Sequence, residues 1–185
     1  MNDVPHSVLV HPDQSCLLFV DFVTPLKDDA DIDRQSASRR AYLELLQVAT
    51  KLSVPIFASA RLGDMTAASD EALDGYLSRE NRLSRSAINP WKDKRLRNWI
   101  FDLDRNRLVL AGGYSEGSLM QGALSALQDM YDVYVLFDLS DRRLVSEGSP
   151  MAQRMIQHGV VPLTTRQLLL EWAAAANGED EVSSE

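Results

Sequence analysis

Cys16-Leu17-Leu18-Phe19-Val20-Asp21 is a run of five apolar residues closed by a carboxylate. Such a run reads as a strand buried on both faces, with the acid at its end. A carboxylate there can cap a helix, anchor a loop or exchange protons in a crevice. A second stretch is Ala111-Gly112-Gly113-Tyr114-Ser115-Glu116-Gly117-Ser118. It reads as a strand, a tight glycine turn and the start of a helix. The N–H groups at such a start can hold an anion or a developing oxyanion. The same glycines also suit a turn that needs only close packing. Asp138, after the apolar residues 133–137, is a third strand-end acid.

The elements that must position these residues alternate along the chain. Strands are predicted at residues 16–21, 54–60, 107–111, 133–137 and 160–163. Helices are predicted at 36–52, 92–101, 115–130, 150–158 and 165–176, from apolar residues at helical spacing. Residues 25–33 read as loop, 67–77 as a short helix, and 79–90 show no clear period. Alternating strands and helices imply a three-layer α/β/α sandwich with a mostly parallel sheet. In such a sheet the ligand crevice lies beyond the carboxyl ends of the strands. Asp21, Gly112-Gly113 and Asp138 all fall there.

The length of 185 residues suits one domain at 15–176, an N-terminal arm at 1–14, and an acidic tail at 177–185 expected to be disordered. The net charge of −8 argues against nucleic acid and anionic membranes as partners. No run is long enough to span a bilayer. The N-terminus has no signal-peptide pattern, and the one cysteine allows no internal disulfide. A cytoplasmic location is the expectation. Cys16 opens the first strand and reads as a core residue. With no phosphate-binding glycine motif, no nucleotide cofactor is expected.

Three stretches together resemble the isochorismatase-like, or cysteine hydrolase, superfamily. Leu17-Leu18-Phe19-Val20-Asp21-Phe22 resembles its first strand with the catalytic aspartate. Ser86-Ala87-Ile88-Asn89-Pro90-Trp91 is similar to the Ile-Asn-Ala-Trp stretch of one branch. The third and most specific is Leu108 to Leu119, followed by a helix and Tyr131-Asp132-Val133-Tyr134-Val135-Leu136-Phe137-Asp138. The resemblance covers residue 15 to about 172. It implies a triad of aspartate, cation and cysteine, in which the cysteine attacks a carbonyl-type carbon, the aspartate takes its proton and the cation holds the thiolate. Asp21 matches the aspartate. Arg85 or Arg82 matches the cation, with Arg85 preferred. Ser118 stands at the nucleophile.

The resemblance also puts Gly113, Tyr114 and Trp91 on the substrate side, although tryptophans such as Trp91, Trp99 and Trp172 are more often core or interface anchors than ligand stackers. It allows a cis peptide at Gly113-Tyr114 or Tyr114-Ser115. Metal-binding relatives carry histidines after the second strand. Here that region reads Arg61-Leu62-Gly63-Asp64-Met65-Thr66, so no metal is expected. A serine hydroxyl is a far weaker acid than a thiol and needs a well-placed base, usually a histidine. His6, His11 and His158 have no sequence reason to meet Ser118. Two functions follow. One is a hydrolase acting through Ser118 on a small amide-type substrate. The other is a catalytically degenerate relative that binds a small molecule or serves as an oligomeric scaffold. Family habit and the tryptophans suggest a homo-oligomer.

Overall fold

A computed structural model describes residues 8–21, 32–62, 75–113, 115–140 and 149–177. The predicted helix at 67–77 and the acidic tail fall almost wholly outside them. Six strands form one sheet: β1 (Ser15–Val20), β2 (Ile56–Arg61), β3 (Arg82–Arg85), β4 (Arg107–Gly112), β5 (Asp132–Leu136) and β6 (Val161–Leu163). Their order is β3-β2-β1-β4-β5-β6, and every pairing is parallel. The helices are α1 (Ile32–Lys51), α2 (Lys94–Phe101), α3 (Met120–Gln128), α4 (Pro150–Gln157) and α5 (Thr165–Ala176).

The sheet is covered on both faces, which explains why β1 and β4 are apolar after their first residues, Ser15 and Arg107. Leu17, Phe19, Val109 and Ala111 point to one side and pack with Tyr42, Leu45, Leu46 and Ala49 of α1 and Leu168 and Trp172 of α5. Cys16, Leu18, Val20, Leu108 and Leu110 point to the other and pack with Leu96 and Ile100 of α2, Ala123 of α3 and Met155 of α4. Each large apolar side chain buried in these layers contributes about 1.5–3 kcal/mol.

Two expectations need correction. The sheet has a sixth strand, β3, in the stretch that showed no clear period. Arg82-Leu83-Ser84-Arg85 alternates half-buried and buried residues. At four residues and with two arginines, this edge strand is too short and too polar to stand out as an apolar run. The first helix begins at Ile32, four residues before the predicted start, within a stretch whose aspartates suggested loop.

The chain order reverses across the β1–β4 pair: β1 has β2 on one side and β4 on the other. An open parallel sheet leaves a crevice at the carboxyl end of that pair, where the connections diverge to opposite faces. Asp21 and the Gly112-Gly113 turn occupy that edge.

Candidate active site

The β1 and β4 chain ends lie very close together because two glycines permit it. Val20 pairs with Gly112. A Cβ on Gly112 would lie 1.8 Å from the Val20 carbonyl oxygen, and one on Gly113 would lie 2.8 Å from that of Asp21. No side chain fits in either place. Glycine is therefore required at both positions for close approach.

Alternation along β1 would turn Asp21 toward the α1–α5 side, because Val20 faces α2–α4. Asp21 breaks the alternation with a left-handed φ of 43°. That conformation, tolerated by aspartate but costing on the order of 1–3 kcal/mol, re-aims the carboxylate. The Asp21 N–H is held by the Ser59 carbonyl at 2.8 Å.

Three donors then converge on one carboxylate. The Arg61 backbone N–H donates to Oδ1 at 3.0 Å. Arg85 Nη2 donates to Oδ2 at 2.6 Å, and the Ser118 hydroxyl donates to the same oxygen at 2.5 Å. Asp21 is 8% exposed, Arg85 1% and Ser118 0%. Arg85 closes β3 and is held further by Nη1 on the Ala87 carbonyl at 3.2 Å. A buried charge pair needs such extra hydrogen bonds to offset its desolvation. Ser118 lies in a turn of π-helix, Ser115–Leu119, that leads into α3. Wide turns of this kind recur at functional sites.

The structure thus brings together Asp21, Arg85 and Ser118, residues separated by up to 97 positions, and packs Gly113 against the first of them. Arg82 opens β3, three residues before Arg85 and about 10 Å farther back along the strand. Trp91 is not brought to this cluster. Its indole N–H donates to Asp129 Oδ2 at 2.8 Å, and its ring meets Tyr131 edge-on at 5.5 Å. Both partners lie past the far end of α3, beside the start of β5. Tyr114, and with it both candidate cis bonds, lies outside the described residues. The Arg61 amide had no sequence signal, because a backbone N–H is independent of residue type.

Chemically, the cluster can hold a proton between Ser118 and Asp21 beside a fixed positive charge. It lacks an imidazole among the described residues. His11 precedes β1, at the opposite end of the strand from Asp21, and His158 follows α4. Cys16 is buried at the start of β1, and desolvation pushes its thiol up to about 12. Its environment is that of an inert core thiol. Asp138 is occupied differently. Its carboxylate accepts the Thr165 backbone N–H at 3.0 Å and the Thr165 hydroxyl at 3.1 Å, at the start of α5. Among the described residues no group of histidine, cysteine and carboxylate side chains is arranged to hold a metal ion. No described helix is long and apolar enough to cross a membrane.

No family model matches the chain, and no curated protein does. Solved structures do match it. YcaC from Escherichia coli, described as an octameric hydrolase of unknown specificity, aligns over 93% of this chain and 85% of its own with a TM-score of 0.77 and 20% identity. YcaC from Pseudomonas aeruginosa, solved with hexane-2,5-diol and covalent acrylamide, aligns over 94% and 87% with a TM-score of 0.75 and 18% identity. N-carbamoylsarcosine amidase from Thermoplasma acidophilum aligns over 82% and 96% with a TM-score of 0.61 and 12% identity. What the chain shares with them is the fold, the α/β/α sandwich of the isochorismatase-like proteins.

Proposed function

We propose that this chain is an isochorismatase-type protein that keeps the acid and the cation of the hydrolase site, has serine in place of the nucleophilic cysteine, and binds a small amide-like carbonyl compound without turning it over at an enzyme's ordinary rate. The observation that carries the reading is the shared carboxylate oxygen. Asp21 Oδ2 accepts both Ser118 and Arg85 at 2.5 and 2.6 Å. A cation beside a thiol yields a usable thiolate, but a hydroxyl surrenders its proton far less readily. With its carboxylate already tied to Arg85, and no imidazole beside it among the described residues, Ser118 lacks the strong base that serine nucleophiles use. The left-handed Asp21 and the glycine turn nevertheless preserve the layout, which supports a retained binding role.

The test is ammonia release from a panel of small primary amides by the wild type, Ser118→Ala and Ser118→Cys. Wild type and Ser118→Ala are expected at background, with Ser118→Cys rising above it. An ordinary wild-type rate that Ser118→Ala abolishes would overturn the degenerate reading. It would support the second one, favoured by the 2.5 Å contact, in which Asp21 itself deprotonates Ser118. The octameric state of the E. coli protein supports a homo-oligomeric assembly here as well. Light scattering that gave a clean monomer at high concentration would reject it. The buried lone cysteine fits a reducing, cytoplasmic setting.

A further inference from the structure

β2 lies between the two strands whose ends carry the ion pair. The Arg85 side chain starts at the end of β3 and reaches a carboxylate at the end of β1, two strand spacings or about 10 Å away. It must therefore cross β2. Alternation fixes the side of the crossing: Leu83 packs in the α2–α4 layer, so Arg85, two residues on, projects from the same face. Ser59 of β2 is paired with Val20 on one side and Leu83 on the other, and both of these belong to that layer. Ser59 therefore shares the face over which the guanidinium passes, one row short of it. The residue is 1% exposed, and its Oγ has no hydrogen-bond partner among the described residues. A buried hydroxyl with no partner loses its hydration without compensation. A position chosen only for packing would carry an apolar side chain.

We propose that Ser59 is a positioning residue for Arg85. Its small side chain leaves the lane across β2 open, and its oxygen gives the crossing cation a polar bed. A β-branched side chain there would lift the guanidinium off Asp21 and away from residue 118. This inference rests on the proposed role of the Asp21–Arg85–Ser118 cluster.

The experiment uses Ser118→Cys as a reporter and follows the pH profile of its alkylation by iodoacetamide. The buried Cys16 thiol, pushed up to about 12, stays out of the profile. Arg85 should hold the new thiol below the ordinary value of about 8.5. Adding Ser59→Val should raise its apparent pKa by about one unit. Adding Ser59→Ala, which keeps the lane but removes the oxygen, should raise it less. Global loosening would instead expose Cys16, which peptide mapping of the alkylated protein detects. A lowered pKa in Ser118→Cys that Ser59→Val leaves unmoved, in a protein with Cys16 still protected, overturns the role of Ser59 alone. An ordinary pKa in Ser118→Cys itself overturns the cluster reading and the Ser59 role together.

Discussion

Asp21 and Asp138 present the same local signal, an aspartate after a run of apolar strand residues, and they do different work. Asp138 follows β5 in a short 3-10 turn, and its carboxylate is spent on the backbone and hydroxyl of Thr165. It supplies an acceptor to one of the N–H groups that a helix start leaves without an intrahelical partner. Asp21 follows β1 in a left-handed conformation and gathers a guanidinium, a hydroxyl and the Arg61 amide. Topology makes the difference. Asp21 stands at the β1–β4 switch, where connections leave to opposite faces of the sheet. Asp138 stands on one side of it, within reach of α5. A strand-end acid becomes a site candidate through what the fold brings to it.

The sharpest way to break this comparison is to remove one member of the ion pair. Arg85→Met leaves the Asp21 charge buried without its cation. It is expected to cost about 3–5 kcal/mol in a urea titration. Asp21→Asn combined with Arg85→Met should cost clearly less than the sum of the two single changes, because the double variant strands no charge. Additive losses would mean that the pair is not coupled. Asp138→Ala, by contrast, removes a helix-end acceptor and leaves no buried charge behind. It is expected to cost about 1–2 kcal/mol and to leave the pKa of a cysteine at position 118 unchanged. A shift in that pKa would show that the two aspartates are not independent.

Much of this contrast was legible in the residues, and the rest was hidden for identifiable reasons. The fully buried strands β1 and β4 announce themselves, because both faces must be apolar. The glycine pair and the helix after it are also plain. The edge strand β3 was missed because only alternate residues of Arg82-Leu83-Ser84-Arg85 are buried, so it lacks an apolar run. That omission is why the sequence preferred Arg85 over Arg82 without fixing the register between them. Once the strand exists, Arg85 is the one at its carboxyl end, level with Arg61. Trp91 was a substrate candidate by resemblance, although its residue type favoured a core or interface role. Its bond to Asp129 depends on how α3 returns to β5, which no local pattern encodes. The Ser59 hydroxyl gave no signal at all, since the role proposed for it comes from a side chain that passes one row away on the same face.

The gentlest test sets two thiols at the two ends of β1 against each other. Cys16 is the second residue of the strand, and burial pushes its pKa from 9.0 to about 12. The folded state therefore holds this proton more tightly than the unfolded state does. The linked stability is complete below pH 9 and falls as pH rises from 9 toward 12, because only the unfolded chain gives up the proton in that window. Cys16→Ala should flatten that alkaline slope while leaving stability at pH 7 to the ordinary cost of a smaller core side chain. Measured denaturation midpoints at pH 7, 9 and 10.5 decide it, and an unchanged slope would mean that the thiol is not the group responsible. In the Ser118→Cys variant the second thiol lies beyond the other end of the same strand, beside Arg85. At pH 8 iodoacetamide should label position 118 and spare Cys16. Equal labelling of both in the folded protein would erase the electrostatic distinction between the amino end of β1 and the end where the ion pair sits.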